Sequence, residues 1–491
     1  MITRWICENC SKKWIYPVEK CIYCKGDITK QHGSKLKVIG ITNVMIPSPM
    51  HPIVPYNIIL LQDEHGNRLP KKTMESYEID DEYVEEEAET DDAVSIIKIK
   101  YDIYEAIKES LSLLKDVNLK DEKILIKPSI VTAAYPYQAV NVNPEFLDAL
   151  LKYLLETGVS KENILVAEQA LIGSDATSAA VKAGAISVCK KYGVAVQDIS
   201  KGPFEEIEQD GYKFNVFREA LNRRIINVPI LKTNFQLGIS GALENLARLV
   251  DEKTQRNMYY DNIDGTLPKL LKALNKNVKE KGIPMLHIAD GSFGLQGQGP
   301  LALGEPAFLN IVYSSKNPQA LDLAFCEASM LLIPEHVLNS GEKTSAHDIE
   351  VVGNSIDVLK YQINSSNPHE TPHPDIKVID GKACPACLNA MNSLTSKLVG
   401  LRGDELYVVI GSVLDESKLK GRDRIVALGD CAIKKMGEMK LGYTAKISER
   451  DDPVEQVVLL KKLLTTKGTP KITPVDKVKS KMSKLLSKVT K

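Results

Sequence analysis

The sequence predicts a multidomain protein in which two small N-terminal units precede an α/β body with a mainly parallel sheet and a smaller C-terminal α/β unit. Three observations support this fold class. Two Cys-x-x-Cys pairs lie within the first 26 residues, branched apolar runs follow at 36–46 and 56–62, and from about residue 93 short apolar runs alternate with helical periods.

The composition is that of a globular protein with real hydrophobic cores. Of 491 residues, 43% are hydrophobic and 26% are charged, and 63 basic side chains nearly balance 64 acidic ones. This balance argues against a global field that would attract nucleic acid or an anionic membrane. No apolar run reaches the length of a membrane span, and we expect a cytoplasmic protein without a signal peptide or transmembrane segment.

Residues 1–34 are predicted to form a zinc ribbon. The two Cys-x-x-Cys pairs are separated by ten residues, a spacing that lets two tight turns place four thiolates around one metal ion. A redox pair would explain one such motif but not two. Iron accepts the same ligands and stays open as an alternative. The predicted ligands are Cys7, Cys10, Cys21 and Cys24.

A small all-β unit is expected at 35–74, with a hairpin turn from Asp63 to Asn67. The following segment, 75–92, contains 11 acidic residues and no lysine or arginine. Such a segment repels itself and cannot bury a core, so it is predicted to be a flexible acidic linker.

Residues 5–73 resemble the zinc-ribbon and OB-fold family called domain of unknown function 35. The resemblance rests on the four cysteines, Thr42 with Val44, Pro55-Tyr56, and the turn from Asp63 to Arg68. It implies that residues 35–74 form an OB-fold barrel and that the module holds a CoA-linked substrate or passes it between thiolase-type partner enzymes. Single-stranded nucleic acid is the other common OB ligand, but this segment has few aromatic residues and no basic groove signal.

The large α/β domain is predicted at 93–345, with a helix at 144–157. An irregular connection at 346–374 then leads to a C-terminal α/β unit at 375–466 and a basic tail at 467–491. The strands are predicted where short runs of branched apolar residues occur, at 124–128, 163–167, 194–199, 224–231, 285–289 and 309–313.

Polar residues follow several of these strands, and the carboxyl ends of parallel strands are where such folds bind ligands. Two lysines at strand ends would suit a phosphate or carboxylate, and Thr233 and Gly241 offer a hydroxyl and backbone donors near a helix start. Turn glycines and solvated lysines are the alternative explanation. The predicted ligand-binding residues are Lys127, Lys232, Thr233, Asp290 and Asp322.

Residues 121–330 also resemble the family called domain of unknown function 362, and more distantly the nucleotide-cofactor-binding domain of nickel-pincer lactate racemases. The resemblance is carried by Lys127-Pro128, by 227–229 with 232–233, by 241–246, by Asp290-Gly291, by 297–300 and by 314–322. Two positions depart from the family pattern. Asn234 stands where histidine is usual, and Glu244 stands where lysine is common.

Two further patterns are interpreted as non-catalytic. The glycine-rich run 291–300 does not match a dinucleotide fingerprint, and we expect a mobile flap there. His369 and His373 have the spacing of helical metal ligands, but prolines at 368, 372 and 374 forbid a helix.

The last three cysteines, Cys384, Cys387 and Cys431, are predicted to share one metal site, an iron-sulfur cluster with an open or non-cysteine fourth position. Each turn follows a predicted strand, and adjacent parallel strands would bring both turns to one sheet edge. Three alternatives stay open: a redox pair at 384 and 387, a zinc site completed by another ligand, and simple burial. Cys189 and Cys326 are expected to be core residues.

The basic tail has apolar residues at helical spacing among lysines, which favours an amphipathic helix. This helix is either solvated or docked on the body of the protein, on an acidic partner or on a membrane surface. The catalytic residues cannot be named from the sequence. The favoured function is that of an iron-sulfur-dependent enzyme or redox protein acting on an anionic small molecule, which the first resemblance implies is CoA-linked. The alternatives are a non-catalytic acyl-CoA scaffold that bridges thiolase-type enzymes and, third, an OB protein that binds nucleic acid.

Overall fold

A computed structural model describes residues 2–48, 53–84, 87–100, 102–171, 174–301, 303–367, 369, 371, 373–383, 385–398, 400–448, 451 and 453–467. The predictions for Cys384 and for almost all of the basic tail lie outside these residues. The fold is multidomain α/β, with a mixed and largely parallel central sheet. None of the described helices has both the length and the apolar character needed to cross a membrane.

The first sheet carries the four N-terminal cysteines. It has the order β2-β1-β3 and is antiparallel, with β1 at Ile2–Cys7, β2 at Lys13–Trp14 and β3 at Ile28–Gly33. Trp5 and Trp14 are register partners across β1 and β2, and both pack with Cys7 and Cys21 in one small core.

The second sheet is antiparallel and has the order β6-β5-β4-β7. Its strands are β4 at Leu36–Val44, β5 at Tyr56–Gln62, β6 at Arg68–Thr73 and β7 at Glu82–Tyr83. The Asp63 carboxylate accepts the backbone N–H groups of His65 and Asn67, which fixes the turn between β5 and β6. An OB-fold barrel has five strands. The described strands of this sheet number four, one of them beyond residue 74, so the barrel stays a prediction.

The acidic segment is held in place by its neighbours where the structure describes it. It contains β7, and Asp91 and Asp92 contact Lys316 and Lys343 at 2.8 and 2.9 Å. The carboxylate of Glu350 accepts the backbone N–H groups of residues 89 and 90. The expectation of a flexible linker overlooked these distant basic side chains, which supply the counter-charges that the segment itself lacks.

The central sheet has the path β11-β10-β9-β14-β17-β19-β8-β20, with β15, β16 and β18 attached to it. All pairings from β11 to β17 are parallel, whereas β19 is antiparallel to both of its neighbours. Its strands are β8 at Val94–Lys98, β9 at Ile124–Pro128, β10 at Ile164–Glu168, β11 at Ala195–Asp198, β14 at Arg224–Val228, β15 at Ile230–Asn234, β16 at Gly238–Ser240, β17 at Leu286–Gly297, β18 at Gly304–Ala307, β19 at Ile311–Ser315 and β20 at Val351–Gly353. A separate antiparallel hairpin is formed by β12 at Phe204–Gln209 and β13 at Tyr212–Phe217.

Helices cover both faces of this sheet, since two large buried clusters lie on either side of its apolar strands. The helices are α1 at Ile103–Ser112, α2 at Pro144–Glu156, α3 at Ala176–Lys182, α4 at Ala185–Tyr192, α5 at Arg218–Asn222, α6 at Ala242–Leu246, α7 at Glu252–Asp261, α8 at Ile263–Lys281, α9 at Pro318–Ala328, α10 at Glu335–Leu338 and α11 at Ile356–Leu359.

Three elements differ from the sequence-based expectation. Pro229 separates β14 from β15, so the predicted strand at 224–231 is two strands. The predicted flap at 291–300 is wrong for 291–297, because these residues continue β17 and are mostly buried. The predicted irregular connection at 346–374 contributes β20, which pairs in parallel with β8.

The C-terminal unit is a four-stranded parallel sheet in the order β21-β22-β23-β24. The strands are β21 at Ile376–Gly381, β22 at Leu406–Gly411, β23 at Ile425–Leu428 and β24 at Ala445–Ile447. The helices are α12 at Pro385–Ser396, α13 at Glu416–Leu419, α14 at Asp430–Glu438 and α15 at Pro453–Thr465. The two cysteine-bearing turns follow β21 and β23, which were expected to be adjacent but are separated by β22.

Candidate functional site

The four N-terminal cysteines converge on one point. Their sulfur atoms all lie within 4.8 Å of one another, with Cys7 Sγ 3.4 Å from Cys24 Sγ and Cys10 Sγ 3.6 Å from Cys21 Sγ. These separations are too long for disulfides, whose sulfurs are about 2.05 Å apart. Sulfurs bound to one zinc at about 2.3 Å would lie at comparable separations. The group could therefore hold a metal ion such as zinc.

The turns of the backbone explain this convergence. The Ser11 N–H donates to the Cys7 carbonyl and the Lys25 N–H donates to the Cys21 carbonyl, each at 2.9 Å. Ser11 and Lys25 both have positive φ, so each Cys-x-x-Cys pair closes into a tight knuckle. Four sulfur ligands would leave a tetrahedral metal ion without an open position, as in a structural rather than a catalytic metal site.

A second group of functional interest is a buried ionic cluster at the carboxyl ends of β9, β10 and β15. We define it as Lys127, Glu168, Lys232, Glu244 and Arg248, all of them buried. Charged side chains are rarely fully buried unless they are paired. Because five charged side chains are buried in one region of the α/β domain, the partners of each charged group have to be identified.

Lys127 is completely paired. Its ammonium donates to both Glu168 carboxylate oxygens, at 2.9 and 3.0 Å, and to Asn245 Oδ1 at 3.1 Å. Glu168 also accepts the backbone N–H groups of Ile130 and Gln169. Burial lowers the pKa of Lys127, and the Glu168 carboxylate opposes that effect. Each of the three N–H donors of the Lys127 ammonium therefore has an acceptor, and Lys127 and Glu168 form a fixed, buried ion pair.

Lys232 is different, because its ammonium donates to the Val140 carbonyl at 3.0 Å and has no ion-pair partner among the described residues. Burial lowers the pKa of Lys232 to about 7, against the stabilising field of Glu244. An amine with this pKa is about half protonated near neutral pH, which is the condition for a proton acceptor.

Glu244 and Arg248 lie one turn apart at the start of the buried run that follows Gly241. Burial alone would raise the pKa of Glu244, but Arg248, Lys232 and Lys127 lower it, so the carboxylate stays ionised. Arg248 Nη2 lies 3.6 Å from Glu244 Oε1, and the buried Arg248 Nε and Nη1 atoms have no hydrogen-bond partner in the part of the chain that the structure describes. Buried guanidinium donors of this kind require an acceptor that the described protein atoms do not provide.

The predicted residues Thr233, Asp290 and Asp322 bond mainly to the main chain. The Thr233 hydroxyl donates to the Gly297 carbonyl at 2.8 Å, and Asp322 accepts the N–H groups of Ala242 and Leu243 at the start of α6. Asp290 accepts the Asn143 N–H and the Ser292 N–H and hydroxyl. Burial raises the pKa of Asp290 to about 6 and that of Asp322 to about 7. Their contacts shape the loops around the ionic cluster.

Glu168 and Arg248 were not singled out from the sequence, and Asn245 was named only within the run 241–246. Glu168 ends β10, so the strand-end rule that selected Lys127 could have selected it as well. Glu244 and Arg248 carried a signal too, since they are ionisable residues inside an otherwise apolar run. Asn245 bridges the cluster to Asn227, whose amide contacts the His287 ring nitrogen at 3.0 Å.

The C-terminal cysteines do not form a comparable group among the described residues. Cys387 is fully buried in α12 beside apolar side chains, whereas Cys431 is exposed in the first turn of α14. A third ligand, Cys384, lies outside the described residues. The shared iron-sulfur site therefore stays a prediction.

Comparison with known proteins agrees with the resemblance of the α/β domain. The family model "Domain of unknown function (DUF362)" matches residues 124–327, about two fifths of the chain. Four chains of solved structures match, among them the "Ltp2-ChsH2(DUF35) aldolase", with 20% identity, coverage of 18% of this chain and 75% of that chain, and a TM-score of 0.15. No curated protein matches.

Proposed function

We propose, with the family match over residues 124–327 as the premise, that the chain is a zinc-containing enzyme that binds an anionic small molecule at the buried ionic cluster. The observation that carries this proposal is the state of Arg248, whose buried Nε and Nη1 atoms have no acceptor among the described residues. A carboxylate or phosphate oxygen is the natural acceptor, because a guanidinium fork matches both groups.

The proposed chemistry is proton transfer. Lys232 belongs to the same cluster as Arg248, and the two cations influence each other electrostatically. With its pKa near 7, the neutral amine of Lys232 accepts a proton from a substrate that Arg248 orients. The Lys127 and Glu168 pair stays fixed and holds Asn245 in place, which keeps the walls of the site rigid.

Three finer features complete the proposal. The zinc ribbon stabilises the N-terminal module and takes no part in the chemistry, since its four sulfur ligands leave no open position. The OB-type barrel and a CoA ester as the substrate are proposed from the resemblance of residues 5–73. An iron-sulfur centre at Cys384, Cys387 and Cys431 would give the enzyme a redox step of its own.

The test is anion binding by the purified protein, with phosphate and malonate as probes. Both anions should raise the thermal midpoint of the wild-type protein, because a ligand that binds only the folded state stabilises it. The rise should vanish in Arg248→Met. Arg256→Met is the matched control, since Arg256 pairs with Glu252 on the partly exposed side of α7. Equal shifts in all three proteins would place the anion site elsewhere, and no shift in any of them would remove the proposal.

A further inference from the structure

A separate pocket lies at the junction between the second β-sheet and the α/β body. Its volume is about 300 Å³, the lower end of the range for small-molecule sites. Residues of β5 and β6 form one wall, and residues of β8, β19 and the end of α9 form the other. The pocket opens where β8 ends, which is the sheet edge at which α/β folds commonly bind ligands. It shares no lining residue with the buried ionic cluster.

The pocket is strongly basic. Four lysines line it, against one acidic residue, Glu109. Burial lowers the pKa of Lys72, and the charge of Lys98 lowers it further. Burial of the ammonium group also lowers the pKa of Lys98, although the residue as a whole is exposed. An anion bound beside Lys72 and Lys98 would reduce the repulsion between these two charges.

Aromatic rings stand beside these charges. Phe308 is 65% exposed and rests edge-on against Phe293, with ring centroids 5.3 Å apart. The Tyr56 ring lies 3.9 Å below the Lys72 ammonium. A large apolar ring left open at a pocket mouth offers a stacking surface for a flat group of a ligand.

We propose that this junction pocket binds a phosphorylated compound that carries a flat ring, of the size of a nucleoside diphosphate. Phosphate oxygens are strong acceptors for lysine ammonium groups, and Lys98 lines the pocket. Phe308 supplies the surface for the ring. Because the lining residues come from both units, the bound ligand also ties the N-terminal module to the α/β body.

The proposal is tested by calorimetry on the full chain, with ADP, pyrophosphate and adenosine as probes. ADP should bind the wild-type protein, and the affinity should fall as salt is added. Lys98→Gln should weaken ADP binding about tenfold, the effect of losing one partly screened charge contact. Phe308→Ala should weaken ADP and adenosine but leave pyrophosphate unchanged.

Lys190→Gln is the matched control, because this exposed lysine lies on α4, at the opposite end of the sheet from β8. It should bind ADP as the wild-type protein does. The proposal is overturned if ADP does not bind the wild-type protein at millimolar concentration, or if Lys98→Gln and Lys190→Gln bind it equally well. It is also overturned if Phe308→Ala leaves ADP binding intact, since the ring would then have no place in the site.

Discussion

Replacing Lys232 with methionine should stabilise the α/β domain at pH 7 and lose that advantage at pH 10. The Lys232 side chain is 1% exposed, and burial lowers its pKa from 10.5 to about 7. At pH values between these two pKa values, the folded state binds fewer protons than the unfolded state. The stability of the wild-type protein therefore rises with pH in this window, by about 1.4 kcal/mol per pH unit at most.

The magnitude follows from two opposing contributions. At pH 7 the buried amine costs the wild-type protein about 4 kcal/mol, an order-of-magnitude figure from the pKa difference. Methionine keeps the volume and removes this cost. It also leaves the Val140 carbonyl without the donor that lies 3.0 Å away, which costs about 2 kcal/mol. At pH 7 Lys232→Met should therefore be more stable than the wild-type protein by about 2 kcal/mol. At pH 10 the buried amine costs the wild-type protein only about 1 kcal/mol, so the variant should be less stable than the wild-type protein by about 1 kcal/mol.

The assay must report on the α/β domain alone. Both tryptophans, Trp5 and Trp14, lie in the N-terminal unit that carries the four cysteines, so tryptophan fluorescence reports on the unfolding of that unit and not of the α/β domain. Urea unfolding followed by pulsed labelling of Cys326, which is fully buried in α9, reports on the right one. Lys190→Met, at an exposed site, should show no pH-dependent difference. A free-energy difference for Lys232→Met that stays constant from pH 7 to pH 10 would refute the reasoning.

Three further predictions concern other parts of the chain. Cys7→Ser or Cys24→Ser should lose about one zinc per chain and expose the tryptophans while Cys326 stays protected, because metal binding supplies the folding energy of so small a unit; a metal-free variant with a fully folded ribbon would contradict this. If the C-terminal cysteines bind a cluster, anaerobic Cys431→Ser should lose iron and the absorption near about 400 nm, whereas an iron-free wild-type protein with a reversible disulfide between residues 384 and 387 would exclude the cluster. Gly241→Ala should destabilise the α/β domain by about 2 kcal/mol in urea unfolding, since its Cβ would lie 2.1 Å from Asp322 Oδ1. Gly437→Ala is the contrasting variant, because a Cβ there meets no atom within 4 Å. It should stabilise the C-terminal unit by about 0.5 kcal/mol, since alanine favours a helix more than glycine does.

The sequence predicted the strands that are long and apolar on both faces. The runs at 124–128 and 163–167 correspond to β9 and β10 within a residue. A continuous run of branched apolar residues is typical of a strand whose two faces are both buried. The three residues of β20 are too short for a period to be read. The glycines after Asp290 suggested mobility, yet they permit close packing. A Cβ at Gly299 would lie 2.1 Å from the Thr233 carbonyl oxygen, and one at Gly294 would lie 2.8 Å from that of Leu231.

The residues of the ionic cluster could be predicted only in part. Strand-end position was enough to select Lys127 and Lys232, because topology alone brings those ends together. The same rule could not distinguish them from Asp290 and Asp322, whose oxygens accept backbone N–H groups. Residue types show which groups can form hydrogen bonds, but the choice between a ligand and the main chain depends on loop paths that no local pattern encodes.

The position of β20 determines which pieces of the chain can be produced on their own. The sequence pattern places the end of the α/β domain at residue 345. A fragment that ends there would lack β20, the strand that pairs with β8. The exposed backbone groups of β8 could then pair with other chains, which is a known route to aggregation. The fragment would also lack Ala346, Ile349 and Ile363, which are buried in the main core. Gly297 in β17 would lose its bond to the Asn364 carbonyl. An excised α/β domain therefore has to extend past residue 364 to be recovered as a monomer.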